Sequence, residues 1–329
     1  MGSVIHRSAM YQSILVALDG SEFSVCSLPA AAALARRSGA SLHLVVVFDP
    51  STMLHFMPGE ASMPVYDASL ADDRCKSLRL WVEEQAASIS NTGVSASGVL
   101  LEGTVVEALA EHVVSTGAEL VIMTTHGRSG LNRLRLGSVV SSFLGRSTVP
   151  VFLVRPTGAD APTPGHELPT GRMLITLDRS AFAESMLPHA TRFALSLGMT
   201  IELVNVVELV ANPLALFGAD ALAVEDFISS EEEEDARQYL ANLAQKLSLK
   251  SAPTITVLTD NSPSRAIVSY VRESDPGLVA LATHSRSGLM RMFLGSVADK
   301  VLHGVEQPML VYRPSDEDVV AVEAAAKSA

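Results

Sequence analysis

A chain of 329 residues is too long for one ordinary hydrophobic core and comfortable for two domains. With 48% hydrophobic and 18% charged residues, it has the composition of a globular rather than a disordered protein. Its formal net charge of −12 excludes non-specific nucleic-acid binding by the surface as a whole, since a phosphate polymer is repelled, but not a small anion that senses only the local field.

The two cysteines, Cys26 and Cys75, cannot form a disulfide framework or a four-ligand zinc site. Both fall in predicted helices, where they read as small packed residues. Met1 to Ser13 is short and polar and lacks the apolar core of a secretory signal. No apolar run approaches the roughly 18–20 residues that span a bilayer. The expectation is a cytoplasmic protein without a membrane partner.

Ile14-Leu15-Val16-Ala17-Leu18 is a continuous apolar run, the mark of a strand buried on both faces. Asp19-Gly20-Ser21 ends it, and Ser21 or Ser24 can cap an Ala-rich helix running to about Arg37. Gly39 stops that helix, and residues 42–48 form a second buried strand. Residues 49–64, rich in Pro, Met and Gly, read as a loop long enough to be a lid or flap. A helix follows over about 67–90, with Leu70, Leu78, Trp81 and Val82 at roughly helical spacing. A strand at 94–101, a helix at 105–115, a strand at 120–124, a helix at 138–145 and a strand at 149–155 complete the first half. This alternation calls for a parallel, doubly wound sheet with helices on both faces.

Residues 156–171 carry prolines and glycines among polar residues and read as a linker. Then the pattern restarts. Met173-Leu174-Ile175-Thr176-Leu177-Asp178 repeats the first strand with its terminal aspartate at an offset of 159 (178 − 19). Thr283-His284-Ser285-Arg286-Ser287-Gly288 repeats Thr125-His126-Gly127-Arg128-Ser129-Gly130 at an offset of 158 (283 − 125), and Gly295-Ser296-Val297 repeats Gly137-Ser138-Val139. One net deletion, most easily placed in the long loop, accounts for the change. A period of this size means a duplicated domain rather than a solenoid. The expected layout is a first domain over 11–156, a linker over 157–171, a second domain over 172–314 and an acidic tail over 315–329. The run Glu231-Glu232-Glu233-Glu234-Asp235 is expected to open a helix, where negative charge complements the macrodipole.

In an open parallel sheet, ligands bind beyond the carboxyl ends of the strands, where strand order reverses. If the first and fourth strands are neighbours, Asp19 and Gly127 face one crevice. An aspartate there accepts hydrogen bonds from a ribose hydroxyl or an adenine amino group. Gly127 and Gly130 let the backbone fold around phosphates, and Gly137-Ser138 supplies N–H groups and a hydroxyl at a helix start. Arg128, Arg133 and Arg135 add positive charge. His126 and His284 read as structural histidines, because no Ser-His-Asp or metal-ligand arrangement accompanies them. No general base for catalysis stands out, so no more than slow hydrolysis of a bound nucleotide is expected.

Thr125-His126-Gly127, nine residues and Gly137-Ser138-Val139, after a strand ending in Asp19, closely resemble the universal stress protein family. The likeness covers both halves. It implies two tandem α/β, doubly wound domains of the adenine-nucleotide alpha hydrolase type, with five main strands each. It further implies ATP, with or without magnesium, as ligand, with ADP or AMP as alternatives. By position, the adenosine side comprises Ala17, Leu18, Asp19 and Val47. The phosphate side comprises Thr124, Thr125, Gly127, Arg128, Gly130, Gly137, Ser138, Val139 and Val140. The family pattern places a further glycine where this chain has Thr124. In the second half Ala282 and Ser285 stand at the two glycine positions, so nucleotide is expected mainly in the first domain. The resemblance also implies an intramolecular pseudo-dimer, or a homodimer, and a stress-response role. The alternative is an interaction or scaffold protein of the same fold without a nucleotide.

Overall fold

The computed structural model describes residues 10–56, 64–66, 68–125, 136–155, 168–209, 220–247, 249, 251–283 and 294–327. Of 54–56, 64–66 and 220–229 it describes the backbone alone. The chain divides into two units, Met1–Leu168 and Pro169–Ala329.

The first unit runs β1 (Ser13–Leu18), α1 (Glu22–Val25), α2 (Leu28–Ser38), β2 (Ser41–Phe48), β3 (Leu54–Phe56), β4 (Pro64–Tyr66), α3 (Ala68–Ser90), β5 (Ala96–Glu102), α4 (Val105–Thr116), β6 (Leu120–Thr124), α5 (Ser138–Leu144) and β7 (Val151–Val154). Its main strands lie in the order β7-β6-β1-β2-β5, all parallel. Every residue of β1, β6 and β7 is buried, as their unbroken apolar runs require of strands covered on both faces.

Three expectations change in this unit. The first helix is two. Ser21 caps α1 by accepting a hydrogen bond from Ser24 N at 3.2 Å, and α2 starts afresh with Pro29 in its first turn. The presumed lid contains a 3-10 turn at Pro50–Met53 and an antiparallel ribbon of β3 and β4. Finally, α3 buries Ala71, Leu78, Val82, Ala86 and Ile89, whereas Leu70 is 46% exposed. The small Ala71, rather than the larger Leu70, lets that end of the helix approach the sheet.

The second unit runs β8 (Arg172–Leu177), α6 (Ala181–Glu184), α7 (Leu187–Leu197), β9 (Thr200–Glu208), α8 (Asp220–Lys246), β10 (Thr254–Asp260), α9 (Pro263–Ser274), β11 (Leu278–Ala282), α10 (Ser296–Gly304), β12 (Met309–Tyr312) and α11 (Asp316–Lys327). Its strand order, β12-β11-β8-β9-β10, reproduces that of the first unit. Gly39 and Gly198 end α2 and α7 in the left-handed conformation, with φ of 74° and 70°. The helix α8 begins at Asp220, so the acidic run lies well inside it rather than at its start. Its charges make side-chain contacts instead: Glu233 accepts a hydrogen bond from Thr259 Oγ1 at 2.8 Å, and Glu234 pairs with Arg237 at 3.6 Å. The tail is the helix α11, begun by a capping box in which Ser315 N donates to Asp318 at 2.8 Å and Asp318 N to Ser315 Oγ at 3.2 Å.

Strand registers refine the duplication. Val46 pairs with Leu18 and Leu100, and Asn205 pairs with Leu177 and Val257. Leu120 and Leu278 pair with Ile14 and Met173. The offset is therefore 159 at the second strand (205 − 46), 157 at the third (257 − 100) and 158 at the fourth (278 − 120). A two-residue deletion before the third strand and a one-residue insertion after it make up the one net deletion expected.

Candidate functional site

In the first unit β1 pairs on one side with β2 and on the other with β6, so strand order reverses between β1 and β6. That is the crevice the strand pattern anticipates. Ala17 and Leu18 are buried at the end of β1, opposite Val45 and Val46, and Val47 lies further along β2 opposite Leu101. Asp19 follows directly and is half-buried. Its Oδ1 accepts from Ser21 N at 2.9 Å and from Ser21 Oγ at 2.5 Å. This Asx turn, with Gly20 at φ 79° free of side-chain strain, holds the carboxylate at the strand end.

Across the crevice, Thr124 closes β6 and Thr125 is fully buried. Thr125 N donates to Val154 O at 3.0 Å, and Thr125 O accepts from Gly137 N at 3.0 Å. The second bond ties the start of α5 to the end of β6. It also bears on one expectation, because the Gly137 N–H donates to Thr125 O. The first intrahelical bond runs from Ser141 N to Gly137 O at 2.9 Å. Helix geometry therefore leaves the N–H groups of Ser138, Val139 and Val140 without intrahelical acceptors. Ser138 and Val139 are exposed, and Val140 is buried. Gly127, Arg128 and Gly130 lie outside the described residues, as do His126 and His284. Among the described residues no group of three or more His, Cys, Asp or Glu side chains is placed to hold a metal ion.

The equivalent place in the second unit opens into a cleft of about 1040 Å³. Asp178 repeats the turn, its Oδ1 accepting from Ser180 N at 3.1 Å and Ser180 Oγ at 2.5 Å. Arg179 stands where the first unit has Gly20, in the left-handed region at φ 64°. A side chain there costs about 1–2 kcal/mol. Its guanidinium donates to the backbone carbonyl of Glu232 at 2.9 Å, across the turn from α8. Nearby, Tyr239 donates to Glu184 at 3.0 Å; burial, and then that carboxylate, push the phenol far up and keep its proton. On the cleft floor Asn205 replaces Val46 and is buried, with Nδ2 donating to Leu177 O at 2.7 Å. Asn205 and Arg179 were legible only by aligning the halves, as a polar residue inside an apolar strand and a missing glycine.

The universal stress protein family matches the chain twice, over residues 10–155 and 169–313. Universal stress protein Rv2005c of Mycobacterium tuberculosis is 32% identical over 207 residues, which are 61% of this chain and 64% of that protein. The chain thus spans less than two thirds of the length of the first curated relatives it matches. Universal stress protein E of Escherichia coli K12 is 24% identical over 331 residues, 93% of this chain and 95% of that protein. Among solved structures, a functionally unknown protein from Pseudomonas aeruginosa PAO1 agrees with a TM-score of 0.64 at 18% identity, covering 98% of this chain and 99% of that one. A universal stress protein from Archaeoglobus fulgidus gives 0.60 at 18% identity, covering 94% and 99%. At such identity these structures speak to the fold alone: two tandem, doubly wound α/β domains.

Proposed function

The chain belongs to the universal stress protein family, and on that premise we propose that its first half binds an adenine nucleotide and acts as a nucleotide-responsive stress or regulatory module. The observation that carries this reading is the crevice between the ends of β1 and β6. Asp19 stands on one side as an acceptor for ribose or adenine, held by its turn with Ser21. Thr124 and Thr125 stand on the other, with the start of α5 tied to them through Gly137. Acceptor on one side and backbone donors on the other match the two ends of a nucleotide. ATP is the ligand we favour, with ADP and AMP sharing its adenosine contacts. Binding, rather than a catalysed reaction, is the activity proposed, and it is exercised in the cytoplasm.

Heat-denaturing the purified protein and weighing any released small molecule tests this directly. ATP or ADP is the expected finding. Nothing released, even after incubation with Mg-ATP, would sink the proposal and leave an interaction module of the same fold.

A further inference from the structure

At the end of β12 the second unit carries a polar aromatic pair where the first unit is apolar. Tyr312 stands where the first unit has Val154 (312 − 154 = 158), and His189 where it has Ala30 (189 − 30 = 159). Their ring centroids lie 4.0 Å apart at an angle of 44°. Tyr312 Oη donates to Asp318 Oδ2 at 2.7 Å, and Asp318 sits in the first turn of α11. The same oxygen accepts from Ser315 N at 2.8 Å and from Ser315 Oγ at 2.7 Å. We propose that this cluster is a lock and that α11 is a detachable strap, which docks on α6 and frees α6 and the Asp178 turn when it comes away.

The strap is shallowly seated. None of its residues is fully buried; Asp318, Val319 and Val322 are half-buried and the others exposed. A helix of 12 residues is marginal in water on its own, so the order of α11 depends on its docking. Hydrogen bonds to a carboxylate are among the stronger ones, which makes the Tyr312 bond a tie to the body that its side-chain burial does not supply. An element with so little buried surface opens before the core does.

The helix that α11 packs against is α6, only four residues long. Its cap Ser180 accepts from Ala183 N at 3.1 Å and donates to Asp178 Oδ1 at 2.5 Å. At its other end Glu184 accepts from Tyr239 of α8 at 3.0 Å. Through α6 the strap is therefore joined to the aspartate that ends β8. A single helical turn has no cooperativity of its own, so its hydrogen bonds open with the element that covers it.

Native-state hydrogen exchange on the full chain, in buffer and in low urea, tests this. The reporters are the amides of α11 and those of Glu184, Ser185 and Met186, which donate to the carbonyls of Ser180, Ala181 and Ala183. Both sets should share one opening, faster than that of the buried Val271 in α9 and nearly independent of low urea, because undocking exposes little surface. Tyr312→Phe and Asp318→Ala should each speed both sets about tenfold or more, the worth of one hydrogen bond to a charged acceptor. Exchange of α11 only as slow as Val271, α6 amides that do not follow α11, or rates unmoved by both variants would each overturn the proposal.

Discussion

His43 and His112 stand edge to face in the first unit, ring centroids 6.4 Å apart, where the second unit has Glu202 and Tyr270. One fold thus carries two different, partly buried polar pairs at one place between a central strand and the helix behind it. In the first unit Ser97 Oγ approaches His43 Nδ1 at 3.3 Å. Burial holds both imidazoles below the ordinary value of 6.5, and His112 is lowered further by His43. The unfolded chain therefore binds more protons than the folded one in mild acid. Stability is full above about pH 6.5 and declines as pH falls through that value towards the depressed folded values. His189, half-buried against Tyr312, adds a contribution of the same sign, opposed by Asp318 and aided by Arg192. Thermal melts across this range should show the decline. His43→Asn combined with His112→Tyr should flatten it without abolishing it, and an unchanged slope would refute the assignment.

The Glu202 cluster should behave as a unit. Its Oε1 accepts from Thr256 Oγ1 and Tyr270 Oη, both at 2.6 Å, and its Oε2 lies 2.9 Å from Arg172 Nε. That last approach is an ion pair without a well-formed hydrogen bond. The carboxylate is 3% exposed and Arg172 34%. Tyr270→Phe should cost about 1–3 kcal/mol by removing one donor. Arg172→Met should cost about 3 kcal/mol, the low end for stranding a buried charge because Arg172 is partly solvated. Urea unfolding of the two variants checks the order.

Gly98 is required by packing rather than by backbone angle. A Cβ there would lie 2.5 Å from Val82 O, a backbone atom of α3 that cannot swing away. Gly98→Ala should therefore push the helix off β5 and cost about 1–3 kcal/mol, the usual range for overpacking. A neutral result in chemical denaturation would mean that α3 is free to shift.

For the nucleotide, the two aspartate-ended strands provide an internal control. Asp19→Ala should weaken ATP binding to the full chain about tenfold or more, the worth of one hydrogen bond to a charged acceptor. Asp178→Ala should leave it unchanged. Equal losses in calorimetry would mean that the halves share the ligand after all.

The repeated strand, turn and helix pattern was readable because each element depends on its own residues. A parallel strand covered on both faces needs an unbroken apolar run, and Pro29 with Gly39, or Pro188 with Gly198, brackets a helix by local backbone chemistry. The adjacency of β1 and β6, which puts Asp19 beside Thr124 and Thr125, was legible as a condition of the fold class. The sites of Gly127, Arg128 and Gly130 lie beyond the described residues and stay as the family resemblance implies them.

Other features depend on what lies across the sheet. The charges of the acidic run suit a helix start, yet α8 begins at Asp220 and those charges serve side-chain partners. The third strand's register, the demand for Gly98 and the partners of Glu202 are all set by atoms on other elements of the fold. The sequence by itself determined the duplication, the α/β alternation and the aspartate-ended strand, since these follow from periodicity and local propensity. Only the tertiary structure decided that Gly137 N–H belongs to Thr125 and that Asn205 keeps an unpartnered oxygen, because hydrogen-bond commitment is a property of where chain segments meet.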